Sequence, residues 1–320
     1  MRACSRSIIN LKFRKSPLYV VVGIMDIEDL RKFLVISQDC NLQNASKKLN
    51  LTPSALSKVI KRLENEFNQQ MFKREGRNLK LNQHGIQLQS LAMNLVHESD
   101  QLISKFMGSK IKQTVKIAGP SILLQQFLPA LSSLFPSEQF EIHAETVFEG
   151  EAITAINKGL ADIALVTNVA MNHQSNLTSI GLCNTEFHLY GNVNHKVFRE
   201  HKNGVLDKSE LLAYDFVVPI VSPFCGEERG LSSDGWKDDL LPRNVRYKVD
   251  DLFTLTKFID QGLALAYLPE FMQKNNMRKI ELTEPVLNTS ESIQLAYKPS
   301  LAFGWLNQFI ARLEIEKPHW

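Results

Sequence analysis

Apolar residues between positions 26 and 108 recur every three or four residues, the spacing of amphipathic helices. The pattern predicts helices over 26–40, 43–49, 53–67 and 83–108. A chain segment with this periodicity and so few breaks is expected to fold as a small helical domain.

Polar breaks mark where these helices begin. Thr52 is predicted to cap the third helix, with Pro53 as its first residue, and Asn82 to cap the fourth. Between those two helices, "MFKREGRNLKL" has two short strand-like pieces around a basic turn, which predicts a hairpin. Helix, tight turn, helix and hairpin together outline a winged helix-turn-helix.

The fourth helix carries a heptad pattern. Leu88, Leu95 and Leu102 recur every seven residues. Further residues beside this line are Leu91, Ala92, Ser99 and Phe106. The spacing predicts a short coiled-coil-like seam, through which we expect two copies of the chain to pair.

From Thr114 onward the pattern changes. The strand-like stretches "TVKIAG", "FEIHAETV" and "ADIALVT" alternate with helical ones, and the alternation continues to a final helix near the C-terminus. Strands that alternate with helices predict an α/β domain built from βαβ units.

Charge separates the same regions. The net charge of +3 comprises +5 in residues 1–24, +4 in residues 25–110 and −6 in residues 111–320. Within residues 41–82, nine basic side chains stand against three acidic ones. A compact basic module before a larger acidic body favours a polyanion-binding head on a body with another role.

The four cysteines, Cys4, Cys40, Cys183 and Cys225, are scattered without CxxC or Cys/His metal spacing. We therefore expect a reduced cytoplasmic setting, no disulfide framework and no metal site. No apolar run reaches the ~18 residues of a membrane span. Residues 1–24 only faintly resemble a secretory leader, and we expect them to be a disordered extension or to lie before a natural start at Met25.

The helix-turn-helix suggests which side chains would meet DNA, because small polar groups at the start of the third helix suit base edges. Free backbone N–H groups at that end suit a phosphate, and arginines on the wing would reach the backbone or minor groove. The predicted contacts are Asn44, Thr52, Pro53, Ser54, Ser57, Lys58, Lys61, Arg74 and Arg77. The alternative for Lys47, Lys48, Lys61 and Arg62 is that they only solvate helix faces.

The stretch "NASKKLNLTPSALSKVIKRLENEFNQQMFKREGRNLKLNQHG" resembles the DNA-binding region of the LysR-type transcriptional regulators. The family pattern is matched at Ala45, Leu49, Thr52, Ala55, Leu56, Ser57, Ile60, Leu63, Glu64, Phe72, Arg74, Arg77, Leu81 and Gly85. Departures include Asn68 for the usual Gly, which still tolerates a left-handed turn, and Lys58 for the commoner Arg, which lacks a planar fork for guanine.

The remaining chain resembles the family's effector domain. Stretches that carry this resemblance are "LPALSSLF", "AINKGLADIALV" and "FIDQGLALAYLPEFM". The resemblance implies a winged helix-turn-helix over 25–82, a dimerisation helix over 83–108, a hinge over 109–112 and an α/β periplasmic-binding-protein-like effector domain over 113–320. The effector domain would have two subdomains, the first of 113–186 and 265–320 and the second of 187–264.

A ligand cleft is expected between the two subdomains. Ser121 opens a helix after the first strand and suits a carboxylate or other anion, although a plain N-cap explains it equally. Thr167 and Asn168 end a strand, where ligands of open α/β sheets bind. The predicted cleft residues are Ser121, Phe148, Thr167, Asn168, Pro219, Val221 and Cys225. A redox switch at Cys225 is an alternative that would need a partner, and Cys183 lies 42 residues away in a different predicted element.

These observations favour a sequence-specific DNA-binding regulator, which we expect in the cytoplasm, controlled by a small-molecule effector and without a cofactor. The expected partners are double-stranded DNA, the effector and a second copy of the chain through residues 83–108, with a tetramer beyond that and RNA polymerase as a further candidate. The alternative is a periplasmic-type solute-binding protein without a DNA role. No catalytic motif supports an enzyme.

Overall fold

The computed structural model describes residues 25–75, 78–107, 112–172, 174–225, 232–283, 289–299 and 304–316. The chain divides into two compact units, Met1–Ala92 and Met93–Trp320. The expectation for residues 1–24 concerns positions outside the described residues.

The N-terminal unit is a three-helix bundle followed by a hairpin. Its elements are α1 Ile27–Asp39, α2 Leu42–Leu49, α3 Pro53–Phe67, β1 Phe72–Glu75 and β2 Asn78–Leu81, followed by α4 Gln83–Met107, which continues into the second unit. The hairpin is antiparallel, with Phe72 opposite Leu81. These elements confirm the predicted helices and the wing.

Local capping explains these boundaries. Asp26, Asn41 and Thr52 cap α1, α2 and α3 through side-chain oxygens that accept backbone N–H groups. Cys40, Asn50 and Asn68 follow the same helices in the left-handed region, with φ of 48°, 52° and 49°. A residue in that region reverses the chain and lets the last helical carbonyls find donors.

The core of this unit is the set of apolar positions that the periodicity indicates. Leu30, Phe33, Ala45, Leu56 and Leu63 are fully buried. The hairpin is tied to the bundle where the backbone N–H of Leu79 donates to the carbonyl of Cys40 at 3.0 Å.

The second unit is an α/β domain. Its strands are β3 Gln113–Gly119, β4 Phe140–Thr146, β5 Ile163–Thr167, β6 Thr178–Asn192, β7 Val205–Leu206, β8 Asp215–Pro219, β9 Asn244–Val249, β10 Ala266–Pro269, β11 Met277–Leu282 and β12 Ser290–Tyr297. Its helices, beyond the end of α4, are α5 Ser121–Ser132, α6 Glu149–Lys158, α7 Lys196–Glu200, α8 Leu252–Asp260 and α9 Gly304–Glu316. Short 3₁₀ helices cover Asn168–Met171, Lys208–Ala213 and Glu270–Met272.

Within the described residues, one curled sheet has the strand order β4-β3-β5-β12-β6-β11-β7, with β10 also paired to β6. The parallel pair β8–β9 joins this sheet through a bridge between Phe216 and Leu265. Strand β6 is therefore shared by two halves: its first part pairs with β12, and its last six residues pair with β10 and β11.

The second subdomain boundary differs from the prediction. Strands β10 and β11, which we expected in the first subdomain because they follow residue 264, pair with residues 187–192 of β6 instead. The chain returns to the first half only between β11 and β12. Each strand is locally compatible with either half, so the pairing partner decides the boundary.

One large apolar cluster spans both halves, with Ile117 from the first and Phe216 from the second, and a smaller cluster lies in each half. Ala152, Ile156, Ala164 and Val166 belong to one cluster, behind α6 and β5, and are fully buried. Val217, Ile259 and Ala264 belong to another, around α8 and β8, and are also fully buried. Among the residues described, no helix is long and apolar enough to cross a membrane.

Candidate nucleic-acid interface and ligand cavity

The N-terminal end of α3 presents an exposed polar face. The backbone N–H of Ala55 donates to Thr52 Oγ1 at 3.2 Å, and the Thr52 and Ser54 hydroxyl oxygens lie 3.1 Å apart. Pro53 occupies the first turn, where a missing N–H costs nothing. All three side chains are exposed, as is Asn44 on α2.

Two lysines continue this face along the helix. Ser57 and Lys58 each lie three or four residues from both Ser54 and Lys61, so the four residues share one side of α3, and all are exposed. Over the described part of the chain, neither lysine forms a hydrogen bond or ion pair. Both ammonium groups are therefore available to an external anion.

Two other basic residues of the same module have internal partners. Lys48 Nζ lies 2.6 Å from Asp39 Oδ1. Arg62 forms an ion pair with Asp29, whose side chain is 3% exposed. The side-chain hydrogen bond to Asp29 raises the pKa of Arg62. Arg62 therefore neutralises a buried carboxylate of α1, so a structural role explains this arginine better than DNA contact does.

The wing is held against the start of α4. Asn82 Oδ1 accepts the N–H of Gly85 at 2.9 Å, which confirms the predicted cap, and the Asn82 N–H donates to Met71 O at 3.0 Å. A Cβ on Gly85 would lie 2.1 Å from the carbonyl oxygen of Met71. Glu64 Oε1 accepts the N–H of Met71 at 2.8 Å. Sequence reasoning gave Glu64 no role, and its contact fixes the chain between α3 and β1.

Of the two predicted wing arginines, Arg74 lies exposed on β1, whereas Arg77 lies outside the described residues. Both keep the role of predicted DNA contacts.

The predicted seam on α4 divides in two. Leu88 and Ala92 are buried in the N-terminal unit. Leu91, Leu95, Leu102, Ile103 and Phe106 are between 41% and 80% exposed. Apart from the adjacent pair Leu102 and Ile103, these exposed residues recur at intervals of three, four or seven positions along α4, the spacing of one helix face.

A cavity of about 620 Å³ lies in the second unit. Four of the seven predicted cleft residues line it: Ser121, Phe148, Pro219 and Val221. The first two come from the starts of α5 and α6, and the last two from β8 and the loop after it. One backbone hydrogen bond joins these walls, from Glu149 N to Phe224 O at 3.1 Å.

Three predicted cleft residues do not line the cavity. Thr167 is fully buried, and its N–H donates to Glu149 Oε1, so the first turn of α6 covers the end of β5. Asn168 turns away into the 3₁₀ helix Asn168–Met171. Cys225 follows the lining residue Phe224 but is not part of the wall. The expectation that a ligand binds at the end of β5 was wrong, because the first turn of α6 covers the end of that strand.

Sequence reasoning missed most of the polar lining. Asp250 and Asp251 come from the turn before α8, and Glu291 comes from β12. Asp251 caps α8 by accepting the N–H of Thr254 at 2.8 Å. A hydrogen bond from the Thr254 side chain, together with this backbone hydrogen bond, lowers the pKa of Asp251. The "VDD" before a helical stretch signals a cap, but nothing in it signals a cavity.

A buried ion pair supports one wall. Arg243 is 8% exposed and donates two hydrogen bonds to the lining residue Asp234, at 2.6 and 2.8 Å. The guanidinium also lies 5.3 Å from the ring centroid of Trp236. Arg243 Nε also lies 2.9 Å from Asp238 Oδ1, so one guanidinium joins two carboxylates and fixes the segment that carries Asp234.

The cysteines give little support to a redox switch. Within the described ranges, Cys40, Cys183 and Cys225 form no disulfide. Burial raises the pKa of Cys183, which disfavours the reactive thiolate. The described residues contain no cluster of three or more metal-ligating side chains.

Two family models match the chain. Residues 27–86 match the bacterial regulatory helix-turn-helix protein of the lysR family, and residues 108–302 match the LysR substrate binding domain.

Curated relatives include transcriptional regulators. GltC of Bacillus subtilis, a transcriptional dual regulator, is 26% identical over 253 residues, covering 77% of this chain and 81% of that protein. The HTH-type transcriptional regulator DgdR of Burkholderia cepacia is 28% identical over 145 residues, covering 45% of this chain and 49% of DgdR. The match to DgdR thus spans about half the length of that relative.

Solved structures share the fold. ArgP from Mycobacterium tuberculosis superposes with a TM-score of 0.62 at 14% identity, covering 92% of this chain and 97% of that one. Full-length LysG from Corynebacterium glutamicum, with bound effector Arg, superposes with a TM-score of 0.61 at 16% identity, covering 92% of this chain and 98% of that one.

Proposed function

The chain belongs to the LysR family of bacterial helix-turn-helix transcriptional regulators, and from this premise we propose which residues contact DNA and where the effector binds. Operator DNA would meet the N-terminal end of α3 and the wing. A small molecule in the 620 Å³ cavity would control that binding.

The observation that carries the DNA proposal is the free polar face of α3. Ser54 and Ser57 offer hydroxyls to base edges in the major groove, while Lys58 and Lys61 have no ion-pair partner among the described residues. The N–H groups at the start of the helix and Arg74 and Arg77 on the wing would contact phosphates. Asn44, Thr52 and Pro53 flank this face and complete the proposed contact set.

The exposed stripe on α4 supports self-association. We propose that two copies pair through residues 83–108, with Leu95, Leu102 and Phe106 at the centre of the interface, and that dimers pair again into tetramers. Two reading heads would then contact two half-sites. RNA polymerase stays a candidate partner, and the cytoplasm is the compartment in which such a regulator would meet DNA.

The effector would act through a coupling free energy between ligand binding in the cavity and DNA binding by the N-terminal unit. The Glu149–Phe224 hydrogen bond joins the two cavity walls. A ligand that changes the distance between these walls would therefore change the relative orientation of the two halves of the second unit. That shift would alter spacing or bending of the bound DNA. The proposed effector contacts are the predicted cleft residues that line the cavity, Ser121, Phe148, Pro219 and Val221.

Family membership makes the protein a regulator rather than an enzyme. A solute-binding protein without a DNA role is not favoured, because the helix-turn-helix model matches residues 27–86.

The proposal is tested by selecting DNA from a random pool with the full-length protein and footprinting the selected site. We expect a protected, partly palindromic site whose binding is lost when Ser54, Ser57, Lys58 and Lys61 are replaced together by alanine. Retention of the footprint by that variant, with its fold intact by circular dichroism, would overturn the proposed contact face.

A further inference from the structure

A second pocket lies in the second half of the α/β domain. Its volume of about 540 Å³ is within the roughly 300–1,000 Å³ of ligand pockets, and it shares no lining residue with the first cavity. The end of β6, helix α7, strands β8 and β9 and the end of α8 supply its walls. The charged and titratable side chains of this polar pocket are His195, Lys196, Arg199, Asp215, Arg246 and Asp260.

His195 contributes a buried imidazole to the polar pocket and is only 3% exposed. The backbone N–H of Val197 donates to His195 Nδ1 at 3.2 Å, so the neutral ring carries its proton on Nε2. Within the described ranges, this Nε2–H has no hydrogen-bond partner. A buried donor without a partner costs free energy, which an acceptor bound in the pocket would recover.

The buried amide of Asn192 holds the imidazole in position. Its Nδ2 donates to the carbonyl of Asp260 at 2.9 Å, and its Oδ1 accepts the N–H of Asn194 at 2.9 Å. The backbone N–H of His195 donates to the carbonyl of Asn192 at 2.8 Å. These bonds tie the end of β6 to the end of α8, so this part of the pocket is formed before any ligand enters.

Both carboxylates of the polar pocket already have cationic neighbours. Asp215 forms an ion pair with Arg246, with 2.7 Å between Oδ2 and Nη1. Asp260 accepts the side-chain N–H of Asn276 at 3.0 Å and lies 3.7 Å from Lys274 Nζ. Neither carboxylate is therefore an uncompensated negative charge that would repel an anion.

The C-terminal end of α8 also lines the pocket and would oppose an anion if its carbonyls were unpaired. The carbonyls of residues 257–260 all accept hydrogen bonds, at 2.8 to 3.0 Å. Three donors are the backbone N–H groups of Gln261, Gly262 and Leu263, and the fourth is the side chain of Asn192. The negative end of this helix is thus engaged within the protein.

Two cations of the polar pocket have no carboxylate partner in the described part of the chain. Lys196 Nζ donates to the carbonyl of Ala213 at 3.0 Å and lies 5.1 Å from the ring centroid of Tyr214. Arg199 forms neither a hydrogen bond nor an ion pair with any described side chain. After the internal pairs are counted, these two residues leave the pocket with an excess of positive charge.

The imidazole lies within the field of both cations. Burial lowers the pKa of His195, and the charges of Lys196 and Arg199 lower it further. Glu200 and Asp215 act in the opposite direction, but the Glu200 carboxylate accepts a tyrosine hydroxyl at 2.6 Å and does not line the pocket. His195 is therefore a neutral donor beside two cations, an arrangement that suits an anionic acceptor.

We propose that the polar pocket binds the phosphoryl group of a phosphorylated small molecule. Such a group carries nearly two negative charges at pH 7 and three acceptor oxygens, which match two uncompensated cations and one buried donor. A carboxylate has one charge and two oxygens and matches them less well. The phosphoryl oxygens contact His195 Nε2–H, Lys196 and Arg199, and the organic part lies against Tyr247. This second ligand site is independent of the proposed effector role of the first cavity.

The test titrates the full-length protein calorimetrically at physiological salt with probes that share a skeleton. One set is phenyl phosphate, benzoate and phenol, and the second is glucose 6-phosphate, glucuronate and glucose. In at least one set we expect the phosphate ester to bind, the carboxylate to bind at least tenfold more weakly and the neutral compound to show no binding. Inorganic phosphate, titrated alone, is expected to bind more weakly than that ester.

Charge-removing variants locate the binding. Lys196→Gln and Arg199→Gln are each expected to weaken the ester about tenfold or more, because a hydrogen bond to a charged group is lost. His195→Asn keeps a side-chain acceptor for the N–H of Val197 but lacks the Nε2 donor, and we expect it to weaken the ester as well. Lys202→Gln removes an exposed lysine outside the pocket and is expected to leave the affinity unchanged.

Four results would overturn the inference. They are binding of neither ester, tighter binding of a carboxylate than of its ester, inorganic phosphate binding as tightly as the ester, and full ester affinity in the Lys196→Gln/Arg199→Gln double variant. Because both substituted side chains of the double variant are exposed, its fold does not depend on them, and its full affinity would place the ester elsewhere.

Discussion

The carboxylate of Glu149 accepts a hydrogen bond from the backbone N–H of Thr167, with 2.5 Å between Oε1 and N. Both residues are almost fully buried, so the bond closes the end of β5 under the first turn of α6. The N–H of the same glutamate donates to the carbonyl of Phe224, a residue of the opposite cavity wall. Glu149 therefore links the central sheet to both cavity walls.

Loss of the Glu149 carboxylate should destabilise the second unit. Glu149→Ala leaves a buried N–H without this acceptor, and we expect the free energy of opening around β5 to fall by about 1–3 kcal/mol. Glu149→Gln keeps an acceptor oxygen and should lose less. Hydrogen exchange of the full chain, read on peptides of β5 and α6, measures the change. Glu138→Ala, at an exposed loop position, is the control, and equal protection in Glu149→Ala and Glu138→Ala would contradict the role of this bond.

Gly85 is required by the close approach of α4 to the wing. Because a Cβ there would lie 2.1 Å from Met71 O, Gly85→Ala must displace backbone, and we expect a loss of about 1–3 kcal/mol in the N-terminal unit. Gly150 on α6 has open space around a Cβ, so Gly150→Ala should stabilise its helix by about 0.5–1 kcal/mol. Hydrogen exchange on the full chain measures the stability change of both variants. A Gly85→Ala variant with unchanged stability would show that the wing is not packed against α4 as described.

Asn68 ends α3 with a φ of 49°. A left-handed conformation costs an ordinary residue about 1–2 kcal/mol, so Asn68→Ala should lower the stability of the N-terminal unit by about 1 kcal/mol. Asn68→Gly should match or exceed the parent. Asn65→Ala, at an exposed position inside the same helix, should be neutral or slightly stabilising. Hydrogen exchange of the α3 amides at increasing urea concentration measures the effect. The prediction fails if Asn68→Ala and Asn65→Ala lose their protection against exchange at the same urea concentration.

The sequence predicted the N-terminal unit closely because its signals are local. Thr52 and Asn82 each mark a helix start three residues before the N–H group that they accept, and Pro53 directly follows the first of these caps. The structural duty of Arg62 was not visible, since Asp29 lies 33 positions earlier in the chain. A count of charges does not distinguish Lys58 and Lys61 from Lys48 and Arg62. The contacts in the structure do, because Lys48 and Arg62 form internal ion pairs.

The cavity was predicted less well because distant segments build it. Ser121 and Phe148 open helices after strands, which is a local signal. Asp250, Asp251 and Glu291 reach the same cavity only through the pairing of β8 with β9 and of β12 with β6. The polar lining of the wall therefore follows from topology, which the sequence pattern left open.

The central claim is that Lys58 and Lys61 on α3 meet DNA phosphates or bases, and its most direct test is the salt dependence of operator binding. The logarithm of the binding constant falls linearly with the logarithm of salt, by about 0.9 per neutralised phosphate. If both lysines contact phosphates, Lys58→Ala/Lys61→Ala should reduce that slope by about 2 and weaken binding. Lys248→Ala, an exposed lysine on β9, should change neither. An unchanged slope and affinity in the double variant would contradict the account.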